Sequence, residues 1–472
     1  MTQEPGREKT EPPAGQAPAR PDREQPATKG NWIAVVIVLC VGWLLLYATR
    51  TALSSALKDI GDFWGLSEGY LGFLSSSFFF SYLLLQIPSG LLADRFGSRR
   101  TILVGFGVQA VGLLAGVLAR SPFQFLLTRV LAGAGQATYF ACQQAILSFT
   151  LPPDKRARGA AISTAGAGIG SALGFLLGKF LSASSLGWKT PFVALGAISV
   201  IYILVVIATV PEPKSHRKPD PAGAGVAPIA NSGSQHGASQ YTAPQHGASQ
   251  CAAPQCTAPQ HAVPQRAAPR RTSWGFLALM SVCHFFSMYG FYLMLSWLPY
   301  YLETVRGLQG GLSAVVPVVM PLIMAPSAIL WGIAADRRGN RGLVLKVCMP
   351  IAAVATAAIP VMGTPATLAA VLALYGATGK LVIDPILAST ISESAPTESR
   401  SAILATFNSA ASLAMILAPS VTGLIAQLTG SFDVSFYAAG AFNLIALVSY
   451  ILAMRVLRSA NAADKSAISA SA

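Results

Sequence analysis

Four basic side chains of this 472-residue chain fall inside long apolar runs: Arg50, Arg129, Lys179 and Lys380. A charge in such surroundings costs at least ~2.5 kcal/mol on insertion scales, so it marks a function or a pairing unless it can reach water. Arg50 and Arg129 carry the planar, five-donor head that grips a carboxylate through two parallel hydrogen bonds. Lys380 and Asp384 stand four residues apart and share a helix face, the spacing of an ion pair or a proton relay. Pro385 follows at once and loosens that helix. His284 adds a side chain of the type that changes charge near neutral pH. Lys380, Asp384 and His284 are thus the coupling candidates; their plain alternatives are a structural ion pair and a packing histidine. Tyr47, Tyr82, Gln86, Tyr292 and Asn408, with Tyr139 and Gln143, offer hydroxyls and amides that suit a polyhydroxylated anion. Helix–helix hydrogen bonding is the competing reading for each. Lys179 lies near the end of its run and is expected to snorkel to the membrane surface.

These residues need elements to hold them, and composition says which kind. The chain is 53% hydrophobic and 11% charged, where a soluble domain carries about 25% charged residues. Apolar runs of spanning length lie near 32–57, 69–92, 101–119, 123–149, 159–181 and 190–210, then near 274–302, 311–335, 343–362, 365–390, 400–428 and 432–457. The fold class expected is an all-α membrane protein of twelve transmembrane helices in two six-helix bundles. The net charge of +14 would suggest nucleic acid in a soluble protein. Here the basic residues gather between the apolar runs. Of the 33 Lys and Arg, only Lys58, Arg120, Lys189 and Arg306 fall in loops on one side. Outside the spans, all others fall in the tails and in the loops of the other side, which puts both termini in the cytoplasm.

The domain plan follows. Residues 1–31 are a Pro-, Glu- and Arg-rich cytoplasmic tail without an apolar core, so not a signal peptide. Residues 32–210 form the first bundle, 211–273 a cytoplasmic low-complexity linker, 274–457 the second bundle and 458–472 a cytoplasmic tail. The linker holds a pentapeptide repeat from Gln235 to Pro269. His246, Cys251, Cys256 and His261 have a metal-ligand look, but the repeat itself sets their even spacing, so no metal is expected. No nucleophile–base pair emerges either, and neither an enzyme nor a cofactor is expected.

One loop pattern occurs twice. Gly90, Asp94, Arg95, Gly97 and Arg99 follow span 2, and Gly332, Asp336, Arg337, Gly339 and Arg341 follow span 8 in the same register. The first glycine is expected to allow close helix packing. The aspartate is expected to pair with arginines or a helix N-terminus, and the second glycine to permit a tight turn.

These segments resemble the loop signatures of the major facilitator superfamily, over the whole chain. The resemblance implies a central cavity near the midplane and alternating access by rocking of the halves. It also implies that the motif residues latch one side rather than touch cargo. Tyr47 and Arg50 in span 1, Arg129 before a glycine-rich stretch, Pro152 to Arg158, Ser296 to Leu302, and Asn408 with Pro419 resemble the anion:cation symporter branch. That branch has an acidic residue where this chain has Thr49, and a glutamate where it has Gln136; both serve proton coupling there. Coupling here is therefore expected to have moved to His284, Lys380 and Asp384. The span-5 proline of drug–proton antiporters is missing from Gly159–Lys179. So is the span-7 arginine of phosphate-ester exchangers.

The expected function is secondary uptake of a small organic anion, a sugar acid or other carboxylate, with a proton, by a monomer in the inner membrane. Arg50 and Arg129 would bind the carboxylate. The alternatives are an exporter of a metabolite or drug, and a transporter-like sensor. Partners expected are the anionic substrate, the proton and the lipid bilayer, and no nucleic acid.

Overall fold

The computed structural model describes residues 32–211, 274–308, 311–338, 341–396 and 400–471. The metal-like residues of the linker lie outside them, as does Gly339. The described residues form fourteen α-helices. In the first half these are α1 (Trp32–Trp64), α2 (Glu68–Phe96), α3 (Ser98–Val117), α4 (Pro122–Gln136), α5 (Tyr139–Thr150), α6 (Pro153–Ser182) and α7 (Thr190–Thr209). In the second they are α8 (Trp274–Thr304), α9 (Leu312–Arg338), α10 (Arg341–Ala358), α11 (Pro365–Thr378), α12 (Lys380–Ser394), α13 (Arg400–Thr429) and α14 (Asp433–Ser471).

Ten of the twelve expected spans are single helices. The fourth and the tenth, which correspond between the halves, are each broken: α4 gives way to α5 at Ala137–Thr138, and α11 to α12 at Gly379. At 15 and 12 residues, α4 and α5 are each too short to cross a hydrocarbon core of about 30 Å, and together they make one span. The second break comes at Gly379, not at Pro385, which α12 contains. The last helix also runs on to Ser471, through the segment expected to be a plain tail.

Small residues bring the helices close. Gly166, Gly170 and Gly178 of α6 face α1 carbonyls so tightly that an added Cβ would lie 2.1 Å from Cys40 O, 2.2 Å from Leu44 O and 2.7 Å from Ala52 O. Thr51 and Ser55 of α1 then donate to Ser171 O and Phe175 O of α6 at 3.0 and 2.9 Å. The four-residue glycine period in the sequence is therefore a packing stripe.

The buried apolar side chains fall into three clusters. One draws on both halves, joining α1 and α2 to α8 and α13. The other two, around Trp43 and Phe106 and around Phe276 and Leu345, each belong to one half. The shared cluster occupies the end of the molecule away from the loop motifs; the separate ones lie towards the motif end. The halves thus meet at one end and stand apart at the other. Contacts at the closed end are close. An added Cβ at Gly72 would lie 2.4 Å from Pro419 O, and one at Gly423 would lie 2.3 Å from Glu68 O. Ser54 donates to Leu295 O at 2.6 Å, a carbonyl left free because Pro299, four residues on, has no N–H. Ser76 donates to Ile416 O at 2.5 Å.

Candidate functional site

At the base of the gap between the halves, residues from both meet. Arg50 comes from the buried middle of α1. Its Nε donates to Gln136 Oε1 at 3.0 Å, and Gln136 in turn donates to Leu46 O at 3.2 Å. The guanidinium carbon lies 4.7 Å from the Tyr47 ring centroid and 5.0 Å from that of Tyr82, with Phe78 and Phe79 each at 5.8 Å. Rings stabilise a desolvated cation but do not cancel its charge. Gln136 is the last residue of α4, where the glycines of Ala132–Gln136 let α2 and α3 crowd in. An added Cβ at Gly133 would lie 2.2 Å from Phe78 O, and one at Gly135 2.4 Å from Gly105 O. The break after Gln136 is thereby fixed next to Arg50.

The second half answers with Lys380, the first residue of α12. A cation there opposes the helix dipole, so the position favours a nearby anion. Asp384 supplies part of it: its Oδ2 is 3.6 Å from Lys380 Nζ, while its Oδ1 is 2.8 Å from His284 Nε2. His284 stacks on Phe407 with centroids 4.1 Å apart, and its Nδ1 is 3.3 Å from Phe407 O. The three coupling candidates therefore form one buried network. Lys380 also lies over the Phe291 ring at 5.4 Å. Tyr292 is within electrostatic range of Lys380, Arg50, Tyr47 and Tyr82. Its ring meets Phe79 across the halves, edge-on at 5.7 Å.

Other expected residues fall differently. Arg129 is only 2% exposed, sits over the Phe78 ring at 4.9 Å, and lines a small cavity with Arg50. Gln86, one turn from Tyr82, and Asn408, beside Phe407, are half-buried. Tyr139 donates to Leu39 O and Gln143 to Ser163 Oγ; both are used in helix–helix bonds. Lys179 does not snorkel: its Nζ binds Glu303 of α8 at 2.6 Å, with Lys58 3.8 Å from the same carboxylate. The reason is that the closed end brings α6 and α8 together and offers an acid at hand. Sequence reasoning missed Glu303, since a lone glutamate at a helix end carries no signal without its partner.

The motif residues also depart from expectation. Gly97 does turn the chain, at φ +94°. Arg99 donates to Ile207 O at the end of α7. Gly90 and Gly332, however, face open space, and Asp94, Arg95 and Arg337 are exposed. The halves are apart at this end, and among the described residues the ion pairs include none of Asp94, Arg95 and Arg337. Arg341 binds Glu393 at 2.6 Å, within the second half. Asp336 and Arg337 both lie in the last turn of α9, which ends at Arg338.

With this geometry in view, comparison with known proteins is decisive for the family. The model of the Major Facilitator Superfamily matches residues 39–419 and again 321–470. The chain belongs to the Major Facilitator Superfamily. It is a multi-pass transporter and not an enzyme. This major facilitator is similar to a probable anion transporter 4 of rice chloroplasts, 33% identical over 35% of this chain and 29% of that one. It is also similar to the chloroplast ascorbate transporter of Arabidopsis thaliana, 30% identical over 36% and 32%. The match spans about a third of the length of these plant relatives. The uncharacterized transporter YybO of Bacillus subtilis aligns over 87% of this chain and 91% of its own, at 26% identity. In fold, the chain is similar to a bacterial homologue of the human lysosomal transporter Spinster solved in an inward-facing, occupied conformation. The TM-score is 0.67, at 18% identity, covering 91% of this chain and 98% of that one.

Proposed function

We propose that the chain carries a small organic anion, a sugar acid or other carboxylate, inward across the inner membrane, driven by a proton and acting as a monomer. The observation that carries this reading is Arg50. It is a buried guanidinium with no ion-pair partner among the described residues, set between tyrosines at the base of the gap. Such a group calls for an anionic ligand. Lys380 of the other half is positioned to draw the same ligand, so binding pulls the halves together over it. The anion and ascorbate transport named for the plant relatives agrees with this cargo.

The distribution of Lys and Arg supports cytoplasmic termini, which makes the open end the cytoplasmic one. Proton coupling is assigned to Asp384, His284 and Lys380. A proton taken up by the His284–Asp384 pair weakens the hold of Asp384 on Lys380 and frees that ammonium for cargo. The test is uptake of labelled sugar acids into proteoliposomes with and without an inward proton gradient. Saturable, gradient-driven uptake that is lost in Arg50→Ala is the expected result. Uptake unchanged in Arg50→Ala overturns the binding role, and efflux without uptake favours the exporter.

A further inference from the structure

Between its two ends the molecule holds one acidic side chain among the described residues, Asp384, and one histidine, His284. The other described acids lie at the closed end, as Glu303 does, or at the motif end, as Asp94 and Glu393 do. Asp384 Oδ1 and His284 Nε2 are 2.8 Å apart, and the two residues are 8% and 1% exposed. Groups joined so closely titrate as one unit. The first proton taken up is shared along this bond. A second leaves an imidazolium and the Lys380 ammonium, 3.6 Å from Asp384 Oδ2, with no anion between them, and buried like charges are poorly screened. Also in electrostatic range of Lys380 are the phenols of Tyr47 on α1, Tyr82 on α2, Tyr292 on α8 and Tyr375 on α11, a type that ionises only near pH ~10. Beside Arg50 the first half offers an amide and a hydroxyl. Gln136 accepts from Arg50, and Thr49 donates to Leu45 O and accepts from Gln109 Nε2 at 3.3 Å. Neither type takes up a proton near neutral pH.

We propose that each turnover carries one proton with one singly charged anion, so that it moves no net charge. The empty site holds Arg50, Lys380 and the Asp384 carboxylate; the loaded site adds one positive and one negative charge. Both forms therefore cross with the same charge. The pH gradient sets how far the anion accumulates, and the membrane potential does not. This rests on the transport reading and names the force that drives it.

The test uses the full chain in proteoliposomes, with valinomycin and potassium gradients setting the voltage. The probes are the singly charged sugar acids gluconate, galactonate and glucuronate. For a fixed gradient of the probe, the pH gradient at which net flux reverses is measured. The expected result is that about one pH unit balances each tenfold probe gradient, at every voltage. Gln136→Glu sets a second proton acceptor on Arg50. Its reversal point is expected to move with voltage, because two protons and one anion carry a net charge. A reversal point that moves with voltage in the unaltered chain overturns the proposal, and needs no variant to fold. So does a Gln136→Glu chain whose reversal point ignores voltage. Saturable flux with the wrong reversal point leaves the transport reading standing. Absence of saturable flux for every probe is the failure of that reading, and the inference falls with it.

Discussion

At the residue scale, the site turns on what Arg50 lacks. Its side-chain contact is an amide, Gln136, at 3.0 Å, and Thr49 beside it donates to Leu45 O at 2.8 Å. Neither can neutralise it. Gln136→Glu places a carboxylate on Arg50, and that carboxylate competes with cargo. Cargo affinity in this variant is expected to fall at neutral pH and recover as pH drops and the new acid is protonated, measured by equilibrium binding across pH. Arg50→Gln removes the charge outright. Truncating one side of a buried charge contact costs about 2–5 kcal/mol, so a drop of at least ~30-fold in kcat/KM for uptake is expected. Asp384→Asn is expected to abolish acceleration by a proton gradient while sparing anion exchange, read as counterflow. Much of this was legible in the sequence. Arg50, Lys380 and Asp384 stand out because charge in an apolar run is conspicuous. That His284 touches Asp384 was not, because a separation of 100 positions leaves no spacing to read. Arg129 was legible as a buried charge but not as one shut behind Phe78, since cavity walls come from several helices at once.

At the element scale, the two broken spans matter most. The sequence showed each as one apolar run, because hydropathy averages over the one or two residues, Ala137–Thr138 or Gly379, at which packing breaks the helix. The α6 stripe was legible, since a four-residue glycine period has one geometric meaning. Gly170→Val drives two methyl groups at Leu44 O, where even a Cβ would lie 2.2 Å away. Overpacking of that kind costs about 1–3 kcal/mol, and a lower Tm in detergent is the expected reading. Gly72→Val acts on a different surface. It crowds Pro419 O only when the halves are closed at this end, so it is expected to favour the opposite conformation more than to unfold the protein. Distances between spin labels at the ends of α2 and α13 would report the shift.

At the scale of the whole molecule, the arrangement is a hinge closed at one end. The closed end combines glycine contacts, serine bonds to backbone carbonyls, and the Lys179–Glu303–Lys58 cluster. At the motif end Asp94, Arg95 and Arg337 are exposed, as a latch looks when undone. Twofold organisation and span number were legible from the repeated motif and the loop charges. The conformational state was not, because a sequence describes every state of the cycle equally. Glu303→Gln removes the acid that ties α8 to α6 and α1. With side chains 16% and 21% exposed, the Lys179–Glu303 pair is partly screened and contributes about 1 kcal/mol. A several-fold rise in the population open at this end is expected, seen as faster labelling of a cysteine introduced at Ser54.

The break at Ala137–Thr138 bears also on how the protein is made. The segment from Pro122 to Thr150, like that from Pro365 to Ser394, is a span in which neither helix is long enough to cross alone, and it carries Arg129 in its first helix. An arginine in a nascent span opposes partitioning into lipid, by about 2.5–3.5 kcal/mol at the centre and by less towards an end. A ribosome-bound intermediate ending after this segment therefore holds a poor inserter. It enters the bilayer against α2 and α3, which already offer the Phe78 ring and the glycine-lined seat. The Phe78 ring that receives Arg129 thus emerges before it does, while Phe192 of α7 closes over it later.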